Sequence, residues 1–231
     1  MSLLVLTAVI QERDAVARDL GDATPVRIGP YDAVRVATGA GDVDVLAGGV
    51  GPASAAAATA TALATAPYDV VVSAGLAGGF AGRCAIGDVV VADMITAADL
   101  GCGTDSGFLP LGDLGLDFEH RVALPAAEAW RERLHRATLP IAHGEVLTLS
   151  SMTGTDERGD ELAALYPYAV AEAMEGWGVV AAAHGRYDVT IGEVRAVSNV
   201  IGRRDPATWD VRRAFEVLAS AFAVLLAEPL P

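Results

Sequence analysis

Residues 69–93 read DVVVSAGLAGGFAGRCAIGDVVVAD. Two valine runs bracket a glycine-rich segment, and neither run shows the apolar–polar alternation of a half-exposed strand. Unalternating β-branched runs of this length read as buried strands. A buried strand has to be covered, and in a chain of this kind helices supply the cover.

The rest of the chain provides them. LLVLTAV (Leu3 to Val9) reads as a buried strand and QERDAVARDL as a helix closing near Gly21. DAVRVATG and VDVLAGGV are strand-like and are separated by a Gly-Asp turn. GPASAAAATATALATAP is a helix with Pro52 near its start, closed by Pro67. Ala97 to Phe118 is rich in Gly and Asp without a clear period and reads as a long surface loop. The helix PAAEAWRERLHRA and the strand GEVLTLSSM follow, then the helix DERGDELAALYP, with Asp156 as its expected cap. AEAMEGWGVVAAAHGRYD reads as a further helix, TIGEVRAVSN as a strand, and a last helix begins near Pro206 or Trp209. Strands alternating with helices, and no repeat or linker, predict one α/β domain over residues 1–231 with a central mixed sheet flanked by helices.

The chain has 231 residues and a formal net charge of -14, with 52% hydrophobic residues, enough for a substantial core. No basic face suggests a nucleic-acid partner. The first apolar run is too short to span a membrane, and no signal-type cleavage region follows it, so no membrane partner is expected. Cys84 and Cys102 have no pairing pattern and read as free thiols of a reducing cytoplasm. The apolar C-terminal helix carries Glu216 and reads as packed, near a subunit contact.

Several local patterns carry little. GGVGPAS lies between a strand and a helix, but Ser54 replaces the third glycine of a dinucleotide fingerprint, and Asp69 is a poor candidate for its acid. A tight turn opening a helix, suited to holding an anion or water, is the better account. His120, His135, His143 and His184 have no metal-ligand spacing. No elbow motif surrounds Ser150-Ser151.

Three places put polar residues where a core would not choose them. Glu12 follows the first strand directly. Glu175 sits among apolar and small residues in AMEGWGVVAAA, on a helix that otherwise looks buried, and a buried carboxylate is costly unless partnered. Ser198-Asn199 ends the apolar run of VRAVSN. Ligands of open α/β sheets bind outside the carboxyl ends of strands, and the turn SAGLAGGF belongs to the same edge.

Taken in order, TAVIQERDAV, GGVGPASAAAATA, DVVVSAGLAGGFAGRCAIGDVVVAD, AMEGWGVVAAA and VRAVSN resemble the nucleoside phosphorylase/nucleosidase superfamily over nearly the whole chain. The resemblance implies cleavage of a nucleoside's N-glycosidic bond without metal or organic cofactor, by a homo-oligomer. It implies an acid at Glu12 that deprotonates the attacking water. Glu175 would hold the ribose hydroxyls, with Met174 packed on the sugar. Met152, the backbone of Thr153 and the Ala77-Gly78 turn would lie at the base, and Asn199, steadied by Ser198, would stabilise the leaving purine.

Within that superfamily, phosphorylases carry an arginine before the glycine turn and a serine within it. Ser73 and Leu76 stand in those places here, so water is the expected co-substrate. Adenine-specific relatives have Ser-Asp where this chain has Ser198-Asn199, and an amide suits a 6-oxopurine. Arg203, Arg204 and Trp209 lie just beyond, where an aromatic carboxylate on the 5′ side would fit. For either arginine, a solvated turn paired with Asp205 or Asp210 is the structural alternative. A 6-oxopurine nucleoside phosphorylase and a catalytically silent purine-binding protein remain as rival readings.

Overall fold

In a computed structural model of the chain, which describes residues 1–115 and 118–230, the valine runs lie at the centre of one large mixed sheet. In chain order the elements are β1 (Ser2–Thr7), α1 (Ile10–Ala17), β2 (Thr24–Ile28), β3 (Tyr31–Thr38), β4 (Gly41–Ala47), α2 (Pro52–Thr65) and β5 (Val70–Gly79). Then come β6 (Val89–Ala97), β7 (Gly101–Thr104), β8 (Gly107–Pro110), β9 (Arg121–Ala123), α3 (Ala127–Arg136), β10 (Ile141–Thr148) and α4 (Asp156–Leu165). The chain finishes with β11 (Ala169–Ala173), α5 (Gly176–Ala183), β12 (Thr190–Val200) and α6 (Val211–Leu225). The expected α/β class, a mixed sheet flanked by helices, is what the chain adopts.

The sheet runs β11-β10-β6-β12-β5-β1-β4-β3-β2, with β9 added on β6. β11 also pairs antiparallel with β5, so β5, β12, β6, β10 and β11 close into a ring. β1, β5 and β12 run parallel to one another. Their C-terminal ends therefore open on one side, next to the end of β11. Leu3 to Leu6, Val71, Val89 to Val91 and Val194 are wholly buried.

Helix packing explains the alanine content. A Cβ at Gly178 of α5 would lie 2.2 Å from the Pro52 carbonyl of α2 and 2.8 Å from Ala55 Cβ. Only small residues allow two helices to approach this closely. Helix α6 buries Ala214, Val217, Leu218, Ala221, Phe222 and Leu225 and packs on α1 and β12. Among the described residues, no helix is long and apolar enough to cross a membrane.

Five expectations need correction. Ala97 to Phe118 is not a plain loop: β7 and β8 form a hairpin there, and a 3-10 turn follows over Leu111–Leu114. Glycine and aspartate content hid its short alternation. Leu116 and Asp117 of that segment lie outside the described residues. The helix expected from Ala171 onward is divided between β11 and α5, so Glu175 caps α5 rather than lying within a helix. The Ala77-Gly78 turn is part of β5, whose glycines continue the ladder. Thr155, not Asp156, caps α4, its hydroxyl accepting from the Arg158 N–H at 3.2 Å. The last helix starts at Val211, after a 3-10 turn over Pro206–Thr208.

Candidate active site

A cleft opens at the shared carboxyl edge. It is lined by Ala8, Val9, Glu12, Val50, Leu76, Ala77, Gly78, Met152, Thr153, Glu172, Ala173, Met174, Glu175, Ser198, Asn199, Trp209 and Val211. Of the residues expected from the sequence, Glu12, Met152, Thr153, Met174, Glu175, Ser198, Asn199, Trp209, Ala77 and Gly78 all reach it.

Glu12 sits in the first turn of α1, just past β1. Its Oε2 accepts the N–H groups of Ala8 at 2.9 Å and Val9 at 3.2 Å. Its Oε1 accepts the N–H of Leu76, from β5, at 2.9 Å. Gly75 is needed beside it: a Cβ there would lie 2.5 Å from Glu12 Oε1 and 2.9 Å from Arg195 Nη1, and φ is +154°. Burial raises the Glu12 pKa above 4.5, against the Leu76 hydrogen bond and the nearby Arg195 charge, which pull it down. A carboxylate so placed takes up a proton more readily than an exposed one, as a general base requires.

Glu175 bridges two elements. Its Oε1 accepts the Gly51 N–H at 3.1 Å, and its Oε2 accepts from Arg195 Nη1 at 3.2 Å. The turn in GGVGPAS, expected to hold an anion, holds this carboxylate of the protein itself. Met174 precedes it at the end of β11. On β12 the Ser198 hydroxyl donates to Asn199 Oδ1 at 2.9 Å, while Nδ2 donates to the Val200 carbonyl at 3.2 Å and has a second hydrogen for the cleft.

Sequence reasoning passed over a charged cluster beneath the cleft. Arg195 is fully buried, with Nε on Glu193 Oε1 at 2.9 Å and Nη2 on Ser73 Oγ at 2.7 Å. Ser73, at the position where phosphorylases carry a cation, is therefore in contact with one after all. Yet every nitrogen of that guanidinium points at an acceptor: Glu193, Glu175 or Ser73. The signal was present as two charges, Glu193 and Arg195, inside the apolar strand GEVRAVSN. Glu172 was missed in the same way within AVAEAM.

The arginine pair separates. Arg203 and Arg204 are both exposed and do not line the cleft. The Arg204 guanidinium stacks 5.5 Å from the ring centroid of Trp209, which does line it. Arg204 N–H donates to the Gly154 carbonyl and Arg203 N–H to Asp156, so both hold the loop over α4 by backbone. Asp205 and Asp210 instead accept backbone N–H groups of Ala207 and Arg213. Among the described residues, neither arginine is ion-paired.

Two buried acids, a neutral amide at a strand end and a buried cation with an acceptor on each nitrogen thus gather at one cleft. The chain belongs to the phosphorylase superfamily, whose family model matches residues 2–230. It is similar to the futalosine hydrolase of Streptomyces coelicolor, 47% identical over 97% of this chain and 95% of that protein. The futalosine hydrolase of Acidothermus cellulolyticus is 46% identical over 96% and 89% respectively. Among solved structures, the futalosine hydrolase of Helicobacter pylori shares the fold with a TM-score of 0.83 at 16% identity, covering 97% of each chain. The 5′-methylthioadenosine/S-adenosylhomocysteine nucleosidase of S. pneumoniae does so at 0.85 and 18%, covering 98% of this chain and 99% of that one.

Proposed function

We infer that this chain hydrolyses the N-glycosidic bond of futalosine, releasing hypoxanthine and dehypoxanthinyl futalosine, a step of menaquinone synthesis. The observation that carries this is the 46–47% identity to two futalosine hydrolases over nearly the full chain. The residue chemistry agrees with it.

Futalosine is an inosine-like nucleoside with a carboxyphenyl ketone on its 5′ side. Its hypoxanthine lies against Met152 and above Gly78. Glu175 accepts from the ribose 2′- and 3′-hydroxyls, and Met174 packs on the sugar. As the bond from C1′ to the base breaks, its electron pair moves to the base and the sugar becomes oxocarbenium-like. Asn199 Nδ2 donates a hydrogen bond to the base as negative charge grows there. Asn199 is not an acid, so the proton that neutralises the base comes from solvent. Glu12 takes the proton of the water that bonds to C1′. Trp209 and the Arg204 stacked on it meet the aromatic carboxylate, with Arg203 further out on the same loop.

Phosphate is not the nucleophile in this reading. A dianion beside Glu12 and Glu175 would face two carboxylates, while Arg195, the one buried cation among the described residues, already has an acceptor on each of its three nitrogens. The chain acts as one nucleosidase unit over residues 1–231, in the cytoplasm and as a homo-oligomer.

The test is base release from futalosine, inosine and 5′-methylthioadenosine, each with and without phosphate, followed by chromatography. Hypoxanthine from futalosine at a rate independent of phosphate is expected. Strict phosphate dependence would make the chain a phosphorylase. Adenine release from methylthioadenosine would refute the role given to Asn199. Tight base binding with no turnover would identify a binding protein.

A further inference from the structure

One buried acid of the cleft has no part in the steps above. Glu172 is 6% exposed, lines the cleft, and lies between two alanines on β11. Among the described residues it has no ion-pair partner. A carboxylate in that setting is costly, and the packing of β11 does not require one.

Its position is set by the sheet. In β5, Gly78 is in register with Asn199 of β12 on one side and with Glu172 of β11 on the other. Side chains at register positions rise on the same face. A Cβ at Gly78 would accordingly lie 3.2 Å from Asn199 Nδ2 and 3.5 Å from Glu172 Cγ, with Ile201 Cγ1 nearer still at 3.0 Å. The glycine has none, so a floor remains open between an amide and a carboxylate. Their backbones stand two strand spacings apart, roughly 10 Å, and the two side chains lean toward each other over Gly78, so both meet one edge of a base lying above it.

The hydrogen-bonding capacity on each side is defined. Thr153 donates twice to Glu172, through its N–H to Oε1 at 2.9 Å and its hydroxyl to Oε2 at 2.6 Å. Both oxygens are thus acceptors, each with a lone pair to spare. The Thr153 N–H, expected to lie at the base, is already committed to Glu172. Opposite, Asn199 Oδ1 receives the Ser198 hydroxyl, and Nδ2 gives one hydrogen to the Val200 carbonyl and keeps the other for the cleft. A donor and an acceptor face each other across Gly78. The N7–C6–N1 edge of hypoxanthine offers the matching order: acceptors at N7 and O6, then a donor at N1–H. Adenine has a donor at its 6-amino group and a bare acceptor at N1, the reverse of both.

We propose that Glu172 accepts the N1–H of the base and that, with Asn199 across Gly78, it selects 6-oxopurines over 6-aminopurines. The proposal rests on the nucleosidase reading for the place of the purine. Its test uses base binding rather than turnover, so the two can fail separately.

Isothermal titration of the full-length protein with hypoxanthine, 1-methylhypoxanthine and adenine measures the contact. The wild type is expected to bind hypoxanthine about ten- to hundredfold more tightly than either of the others, the range for one hydrogen bond to a charged group. Glu172→Gln, whose amide presents a donor, should lose that preference and bind adenine at least as well as hypoxanthine. Thermal unfolding of the variant controls for the loss of the Thr153 contacts. If the variant does not fold, the 1-methylhypoxanthine comparison in the wild type decides. Equal binding of hypoxanthine and 1-methylhypoxanthine by the wild type, or an undiminished hypoxanthine preference in a folded Glu172→Gln, overturns the proposal.

Discussion

Glu12 holds three backbone N–H groups and stands beside a buried guanidinium, yet burial keeps its proton affinity high. Its hydrogen bonds hold the carboxylate in place while desolvation keeps it basic. Glu12→Gln keeps the shape and removes the base, so kcat of the folded variant should fall about 10²–10⁴-fold, and because its NH₂ cannot accept as both carboxylate oxygens do, the melting temperature should fall somewhat too. Turnover close to wild type would remove Glu12 from the mechanism. Because its pKa is raised, kcat/KM should also decline on the acid side at a pH above that of an exposed glutamate, measured as a pH–rate profile. Asn199 shows the opposite strategy. It titrates nowhere in that range, and its orientation is fixed at both ends, by the Ser198 hydroxyl on Oδ1 and the Val200 carbonyl on Nδ2.

At the scale of elements, close approach between neighbours explains most of the small residues. Gly192 of β12 lies under the ring of Trp130, which α3 delivers and which is 2% exposed. A Cβ at Gly192 would sit 2.1 Å from the Cη2 and Cζ3 atoms of that indole. The ring is rigid and enclosed, so it cannot yield as a long flexible side chain would. Gly192→Ala is expected to destabilise the protein by about 1–3 kcal/mol, seen as a lower urea midpoint at unchanged slope. A wild-type midpoint would mean that α3 can slide on the sheet. The same logic at Gly75 holds β5 against Glu12 and Arg195, so element packing and site geometry are set by one residue.

Across the whole molecule, the net charge of -14 and the buried acids act in the same direction. Desolvation raises the pKa values of Glu12, Glu172 and Glu193 above 4.5. A carboxyl whose folded pKa exceeds its unfolded one favours folding when protonated. Its contribution is complete below 4.5 and is lost as pH rises through the folded value. Self-repulsion of the acidic surface also eases as pH falls. The urea midpoint should therefore hold or rise between pH 7 and pH 5, and Glu12→Gln should flatten that dependence. A midpoint that falls over this interval, as in ordinary acid denaturation, would contradict the raised values.

What the sequence determined by itself was the alternation of buried strands with helices, and through strand ends the positions of Glu12, Glu175 and Ser198-Asn199. Those signals are local: a valine run without alternation, or a polar residue ending an apolar stretch, reports burial wherever it occurs. The tertiary structure decided the rest. Ser73, Glu175 and the Glu193–Arg195 pair come from separate parts of the chain and meet because β5 and β12 are neighbours and α5 caps onto them. Arg203 and Arg204 are adjacent in the chain, yet only Arg204 stacks on Trp209. Gly78 became the floor between Asn199 and Glu172 only when β11 closed the ring of strands onto β5, a pairing between distant segments that no local pattern encodes.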